Sequence, residues 1–347
     1  MAYTSINKPE DYFNTKLYTG TGSSQSITGV GFQPDWVWIK KRSATDGSRM
    51  FDVVRGASKG LFTDTNAEEV TVSSEHTSFD SDGFSLGSSE NVNESSGTFV
   101  AWNWLAGGSA SSNSNGSITS SVSANTTAGF SIVSFTGNAT SGATVGHGLG
   151  SVPKMIIVKN RIDAQPWWVY HSSIGAGGQL RLEESDAKGS DGGVLWNSTE
   201  PTSSVFTLGD NGGANGSGDA TIAYCFAEKK GYSKFGSFEG NGNADGPFVY
   251  LGFRPAFIVI KKSTGAEDWS MYDTERNVNG TSNTLPLLAN DSGAESGFTG
   301  KNMDILSNGV KILTSNGELN LDNETYIYWA FAEHPFVSST GTPVTAR

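Results

Sequence analysis

The chain has one cysteine and four histidines among 347 residues, and its charged residues amount to only 17 %. A single thiol excludes a disulfide framework, and Cys225, inside the alternating run Thr221-Ile-Ala-Tyr-Cys-Phe226, reads as a buried free cysteine. Too few ligands remain for zinc, and no metal site is expected. No apolar run approaches the roughly 18 residues of a membrane helix, and Met-Ala-Tyr-Thr-Ser-Ile-Asn-Lys lacks the apolar stretch of a signal peptide. The expectation is a soluble chain made in a cytoplasm, with no membrane insertion. Basic residues are scarce as well: 23 Lys and Arg against 35 Asp and Glu leave a net charge of −12, with no basic cluster to displace counterions, so nucleic acid is not an expected partner. Helical periodicity is missing. Its best stretch, Phe51 to Lys59, offers at most two turns and holds two β-branched valines.

What is present is 44 Gly, nine Trp and 36 % hydrophobic residues, arranged as short Val, Ile, Phe, Trp and Tyr clusters between turn residues. That composition predicts an all-β chain. Three segments align without a gap at offsets of 119 and 102 residues: Gly31-Phe-Gln-Pro34-Asp-Trp-Val-Trp-Ile-Lys40, Gly150-Ser-Val-Pro153-Lys-Met-Ile-Ile-Val-Lys159 and Gly252-Phe-Arg-Pro255-Ala-Phe-Ile-Val-Ile-Lys261. Tyr18-Thr-Gly20, Phe135-Thr-Gly137 and Phe238-Glu-Gly240 correspond ahead of them. Thr98 to Trp104, Ala220 to Phe226 and Thr325 to Phe331 close the three units.

Each proline suits the first position of a strand, where a missing N–H costs no ladder bond. The run after it is apolar at every position, which predicts a central strand covered on both faces. Lys40, Lys159 and Lys261 are expected to mark its exit to solvent. Asp82-Gly83 and Asn308-Gly309 read as hairpin turns needing positive φ. The predicted fold is three tandem antiparallel β-sandwich repeats of jelly-roll or lectin-like type. Repeat 1 covers 1–108, a Gly/Ser/Asn-rich flexible linker 109–128, repeat 2 129–230, and repeat 3 with a C-terminal tail 231–347. Repeats 2 and 3 should abut, and repeat 1 should be tethered.

Few residues suggest chemistry. Gly56-Ala-Ser58-Lys-Gly60 fits a nucleophile-elbow pattern, but the match is cheap in a Gly-rich chain and lacks the α/β context an elbow requires. The histidines His76, His147, His171 and His334 fall in unrelated parts of the pattern, with Asp52 and Asp273 as the counterparts of His171. Asp80-Ser-Asp82-Gly83 and the cluster Asp210, Asn211, Asn215 and Asp219 have oxygen ligands but not calcium-loop spacing. Glu68-Glu69 and Glu183-Glu184 are strand neighbours that point to opposite faces, unlike a glycosidase pair. Trp36, Trp38, Trp102, Trp104 and Trp329 read as core. Trp167, Trp168, Trp196 and Trp269 lie among polar residues, and Trp167 and Trp269, equivalent by the 102-residue offset, are nominated as glycan contacts. No catalytic residue and no cofactor is assigned.

The runs Ile6-Asn-Lys-Pro-Glu-Asp-Tyr-Phe-Asn-Thr-Lys-Leu-Tyr-Thr-Gly20, GVGFQPDWVWIKKRS, MFDVVRGASKGL, FDSDGFSLG and GTFVAWNWLAGG resemble a repeated domain of virion proteins from marine tailed bacteriophages. The likeness is close from Ile6 to Gly108 and looser in the two later units. It implies a virion location and a structural role: first a tail fibre or receptor-binding protein attaching to the host cell, then a head decoration or tail adaptor protein, and last a carbohydrate-active enzyme. Other virion proteins and a host surface glycan or receptor are the implied partners. With no disulfide or coiled coil to hold it together, the chain is expected to form a homotrimer.

Overall fold

The computed structural model describes residues 3–276, 285–295 and 300–344. The chain is mostly β, built of antiparallel sheets with a few short helices. Its first third holds β1 (Phe13–Thr19), β2 (Gln25–Thr28), β3 (Trp36–Lys41), β4 (Arg49–Asp52), β5 (Lys59–Gly60), β6 (Val70–Thr71), β7 (His76–Asp80), β8 (Gly83–Leu86), α1 (Glu90–Asn93) and β9 (Thr98–Trp104). There follow β10 (Ser111–Asn113), β11 (Ser120–Asn125), β12 (Phe130–Thr136), β13 (Ala143–Gly146), β14 (Met155–Asn160), β15 (Trp168–His171), β16 (Gly178–Arg181), β17 (Gly189–Ser190), β18 (Val205–Leu208), α2 (Gly212–Asn215) and β19 (Ala220–Phe226). The last third holds β20 (Ser233–Glu239), β21 (Phe248–Tyr250), β22 (Phe253–Lys262), β23 (Ser270–Asp273), β24 (Leu287–Leu288), β25 (Met303–Leu306), β26 (Gly309–Ile312), α3 (Gly317–Asn320) and β27 (Thr325–Pro335).

One strand order recurs. The larger sheets run β1-β9-β3-β4, β12-β19-β14-β15 and β20-β27-β22-β23, so that in each third the closing strand lies between the opening strand and the strand that carries the apolar run after the proline. Smaller sheets β2-β8-β7, β13-β18 and β21-β26-β25 accompany them. β3 and β14 are buried along their whole length, as the apolar runs predict, and their faces separate cleanly. Val37 and Ile39 join Ile27, Phe84 and Leu86 of the small sheet, while Trp36 and Trp38 point the other way. Ile156 and Val158 likewise face Val145 and Phe206, and Ile258 and Ile260 face Val249 and Val310.

The opposite faces of all three larger sheets meet in one core. Trp36, Trp38, Trp102 and Trp104 share it with Phe130, Met155, Ile157 and Tyr224, and with Phe257, Val259, Trp329 and Phe331. Trp36 stacks on Tyr224 at 4.8 Å, Phe13 on Phe331 at 5.4 Å, and Trp102 lies 5.4 Å from Phe257. The first third is therefore packed against both others rather than tethered. The expected flexible linker also differs. Residues 109–128 supply β10 and β11, and β11 pairs with β12 from Ser120↔Phe135 to Asn125↔Phe130. Its apolar content is low, but Ile118 and Val122 are buried, and the open edge of β12 offers a full row of ladder partners that a sequence pattern does not reveal.

Three local details follow from sterics. The loops Ser81-Asp82 and Ser307-Asn308 close their hairpins; Gly83, one residue later, has the expected positive φ of 147° and Gly309 does not, and both are also held by a close approach of backbone. A Cβ at Gly83 would lie 1.9 Å from the Ile27 carbonyl oxygen, and one at Gly309 2.1 Å from that of Val249. Pro34 and Pro153 lie just ahead of their strands, whereas Pro255 sits inside β22 where the register slips, the bulge absorbing its missing donor. The helices are single turns at α1, α2 and α3. The stretch after Phe51 finishes β4 and continues as turns.

Candidate functional site

The polar residues buried between the thirds form the most elaborate constellation of side chains in the described structure. Position 52 and its counterparts end β4, β15 and β23, and each reaches a neighbouring third. Tyr224 donates to Asp52 at 2.8 Å, Trp102 Nε1 donates to Asp273 at 3.0 Å, and His171 Nε2 donates to the Tyr328 carbonyl at 3.1 Å. Each of the three also orders its own turn, since Asp52, His171 Nδ1 and Asp273 accept from the backbone N–H groups of Arg55, Ser173 and Arg276. Arg55 and Arg276 pair with Asp52 and Asp273 in full burial; Ile174 takes that place beside the neutral His171. Burial pushes His171 down to about 4.

Farther from this centre stand Lys40, Lys159 and Lys261, which do not exit to solvent. All three are fully buried, and burial lowers them to about 8. Lys40 Nζ donates to the Asp291 carbonyl, Lys159 to that of Asn66 and Lys261 to that of Ser185. The first third thus leans on the last, the middle on the first, and the last on the middle. Backbone bonds join the same pairs of thirds with the donor on the opposite side: Glu295 N to Arg42 O, Glu69 N to Arg161 O and Lys188 N to Ser263 O. At two of these junctions a glutamate bridges two arginines, Glu69 to Arg55 and Arg161, and Glu295 to Arg276 and Arg42. Burial alone would raise Glu69, but Arg161 and Arg55 hold it below its ordinary value.

Trp167 and Trp269 belong to the same junctions, and their nomination as sugar platforms is corrected. They are 0 % and 1 % exposed. Trp167 Nε1 donates to the carbonyls of Phe62 and Thr65, and Trp269 Nε1 to that of Arg181. An indole with both faces packed cannot stack on a sugar ring. The polar residues around them in sequence are loops of their own third and look like surface in a linear reading, while the carbonyl-bearing turns that enclose the indoles come from another third. Trp168 and Trp196 are buried too.

The remaining candidates are dispersed. Ser58 lies in the turn before β5 with no strand-to-helix bend, and its carbonyl accepts from Val72. His76 is enclosed by Phe51, Phe79 and Phe84, and burial lowers it to about 3. His147 is buried at Thr202, while His334 is partly exposed beside Glu333. Asp80 and Asp82 spend their oxygens on Ser78, Ser85 and the N–H groups of Gly29 and Gly31. Among the described residues no His, Cys, Asp and Glu group is disposed to hold a metal ion. Glu183 accepts from Trp167 N, and burial lifts its carboxyl to about 7. Cys225 is buried, which pushes its thiol up.

Sequence reasoning missed Asn93 and Asn320, and singled out Asn215 only as a member of an oxygen-rich cluster. Each is fully buried at the end of α1, α2 or α3 and ties two loops to the helix. Asn93 accepts from Thr21 N and donates to Ser23 and Gly87 carbonyls; Asn215 accepts from Asn138 N and donates to Thr140 and Gly209; Asn320 accepts from Asn241 N and donates to Asn243 and Thr314. Their constant distance ahead of Thr98, Ala220 and Thr325 was the available signal. Gly20, Gly137 and Gly240 recur for the same reason: a Cβ there would strike the backbone just after these asparagines, at 2.2, 2.3 and 2.2 Å.

The family model described as a domain of unknown function, DUF7483, matches residues 8–335. The chain belongs to the DUF7483 family. That match spans all three thirds, from the turn before β1 to the end of β27, and so treats them as one DUF7483 domain. Comparison with curated proteins found no match. Comparison with solved structures found none either.

Proposed function

We propose that the chain is a structural protein of a bacteriophage virion, a tail fibre or receptor-binding protein that attaches to the host cell surface, built of three tandem β-sandwich repeats. The likeness of residues 6–108 to a repeated virion domain motivates this reading. The observation that carries it is the closed circuit of contacts, Lys40 to Asp291, Lys159 to Asn66 and Lys261 to Ser185. No third can swing free while those junctions hold, which suits a part that must transmit force outside a cell without disulfides. The reading assigns no catalytic step, and Ser58 and the paired glutamates serve as scaffold.

Further copies associate in this proposal as a homotrimer through open sheet edges such as β10, and other virion proteins and a host surface glycan are the remaining partners. The threefold-like circuit also favours a second reading, decoration of a head or an adaptor at a symmetric point of the tail. Immunogold labelling of intact virions with an antibody to this chain tests both. Gold at the tail tip or fibres supports the first reading, gold on the head or tail junction the second, and unlabelled virions overturn the virion assignment. Sedimentation at micromolar concentration tests the trimer, which a monomer would remove.

A further inference from the structure

The three small sheets differ at one pair of positions. Ile27, Val145 and Val249 are equivalent buried residues, opposite Phe84, Phe206 and Val310. Their neighbours are Ser26 and Thr28 in the first third and Thr144 and Gly146 in the middle, but Phe248 and Tyr250 in the last. Those two aromatics are 44 % and 54 % exposed, so packing does not account for them. Edge strands β20 and β21 flank the place, whereas the corresponding edge of the middle sheet is covered by β11.

A cavity of about 340 Å³ opens there, lined among others by Tyr3, Glu228, Lys230, Lys234, Tyr250 and Phe336. Its volume falls in the range of small-molecule sites, about 300–1,000 Å³. Tyr3 is 55 % exposed. Lys230 Nζ stands 5.4 Å from the Tyr3 ring centroid and Lys234 Nζ 5.1 Å from that of Tyr250. Lys234 donates to the Tyr250 carbonyl, which leaves two of its three N–H groups for other acceptors; the Lys230 ammonium has no hydrogen-bond or ion-pair partner among the described residues. Glu228 faces the backbone N–H of Phe235. On a chain of net charge −12, two ammonium groups beside two open tyrosine rings form a local exception.

We infer that this cavity binds a saccharide bearing carboxylates. The tyrosine rings supply flat apolar surface for the C–H face of a sugar, and Lys230 and Lys234 supply charge-assisted donors for its carboxylate. Phe248, on the same side of β21 as Tyr250, extends the aromatic surface for a second residue of the glycan. The inference deepens the attachment reading above by naming the ligand class, but its geometry stands without the virion assignment.

The test is calorimetric titration of the full chain with hexagalacturonate and with a sialic acid tetramer, using maltohexaose as the neutral control. Saturable binding of at least one acidic oligosaccharide is expected, at least tenfold tighter than the neutral one and weakened by salt. Tyr250→Thr, which installs the first third's residue, and Lys230→Ala should each weaken it at least tenfold with an unchanged melting temperature, while Thr28→Ala has no effect. No saturable binding of either acidic probe, equal binding of maltohexaose, or undiminished binding in both cavity variants would overturn the site. These outcomes are independent of where gold particles fall on a virion, so failure of the site and failure of the virion reading are told apart.

Discussion

Tyr224 donates its phenolic hydrogen to Asp52 across 2.8 Å, joining β19 to the end of β4 over 172 positions of sequence. Both are fully buried, and Asp52 is at the same time held by Arg55 and by two N–H groups of its own turn. A hydrogen bond to a charged acceptor contributes about 1.5–3 kcal/mol. Tyr224→Phe keeps the stacking on Trp36 and loses only that bond, so urea unfolding should show a loss of that size with an unchanged m-value.

A core shared by all three thirds has a thermodynamic consequence. Calorimetry of the full chain should give one unfolding transition with calorimetric and van't Hoff enthalpies equal, because removing one third exposes the aromatic faces of the other two. Two or three separable transitions would mean that the thirds are independent units.

Asn215→Ala removes an acceptor for Asn138 N and donors for the Thr140 and Gly209 carbonyls. Unsatisfied buried groups cost about 1–3 kcal/mol each, and the expected destabilisation is about 3 kcal/mol or more. Asn93→Ala and Asn320→Ala should behave alike in chemical denaturation, although their neighbours in sequence differ.

Acid stability follows from His76 and His171, which burial lowers to about 3 and about 4. Both stay neutral in the native chain while the unfolded chain takes up protons near pH 6.5, so their contribution is full above that pH and is lost as pH falls toward 4. The slope is at most about 1.4 kcal/mol per pH unit for each histidine. Urea midpoints between pH 7.5 and 4.5 should fall less steeply for His171→Gln than for the parent. Parallel curves would show that His171 takes up its proton in the native state as readily as in the unfolded chain.

All nine tryptophans are buried, Trp168 the least at 9 % exposed. Emission should therefore be blue-shifted and poorly quenched by acrylamide until the chain unfolds. Trp167→Ala and Trp269→Ala should each cost about 3–5 kcal/mol, the scale of a large core truncation, read from urea unfolding. Strong quenching in the native state would contradict the burial of these junctions.

The period of the Pro34, Pro153 and Pro255 segments, the apolar runs after them and the turns between them were sufficient to predict β structure and the central strands. Local chemistry dictates those features: a proline is confined to the approach to a strand or to a bulge within it, and a run apolar at every position has to be covered on both faces. Equivalence of Asp52, His171 and Asp273 was legible too, but not its meaning. Tertiary structure alone decided that Lys40, Lys159 and Lys261 are buried, that Trp167 and Trp269 close junctions rather than face solvent, and that the Gly/Ser/Asn segment 109–128 carries strands. For the lysines and tryptophans the deciding partner is a backbone group far away in sequence, such as the carbonyl of Asp291, Phe62 or Arg181; for segment 109–128 it is the open edge of β12, the next strand along the chain. Every residue carries such groups, so composition and spacing cannot distinguish the ones that a folded chain brings within reach.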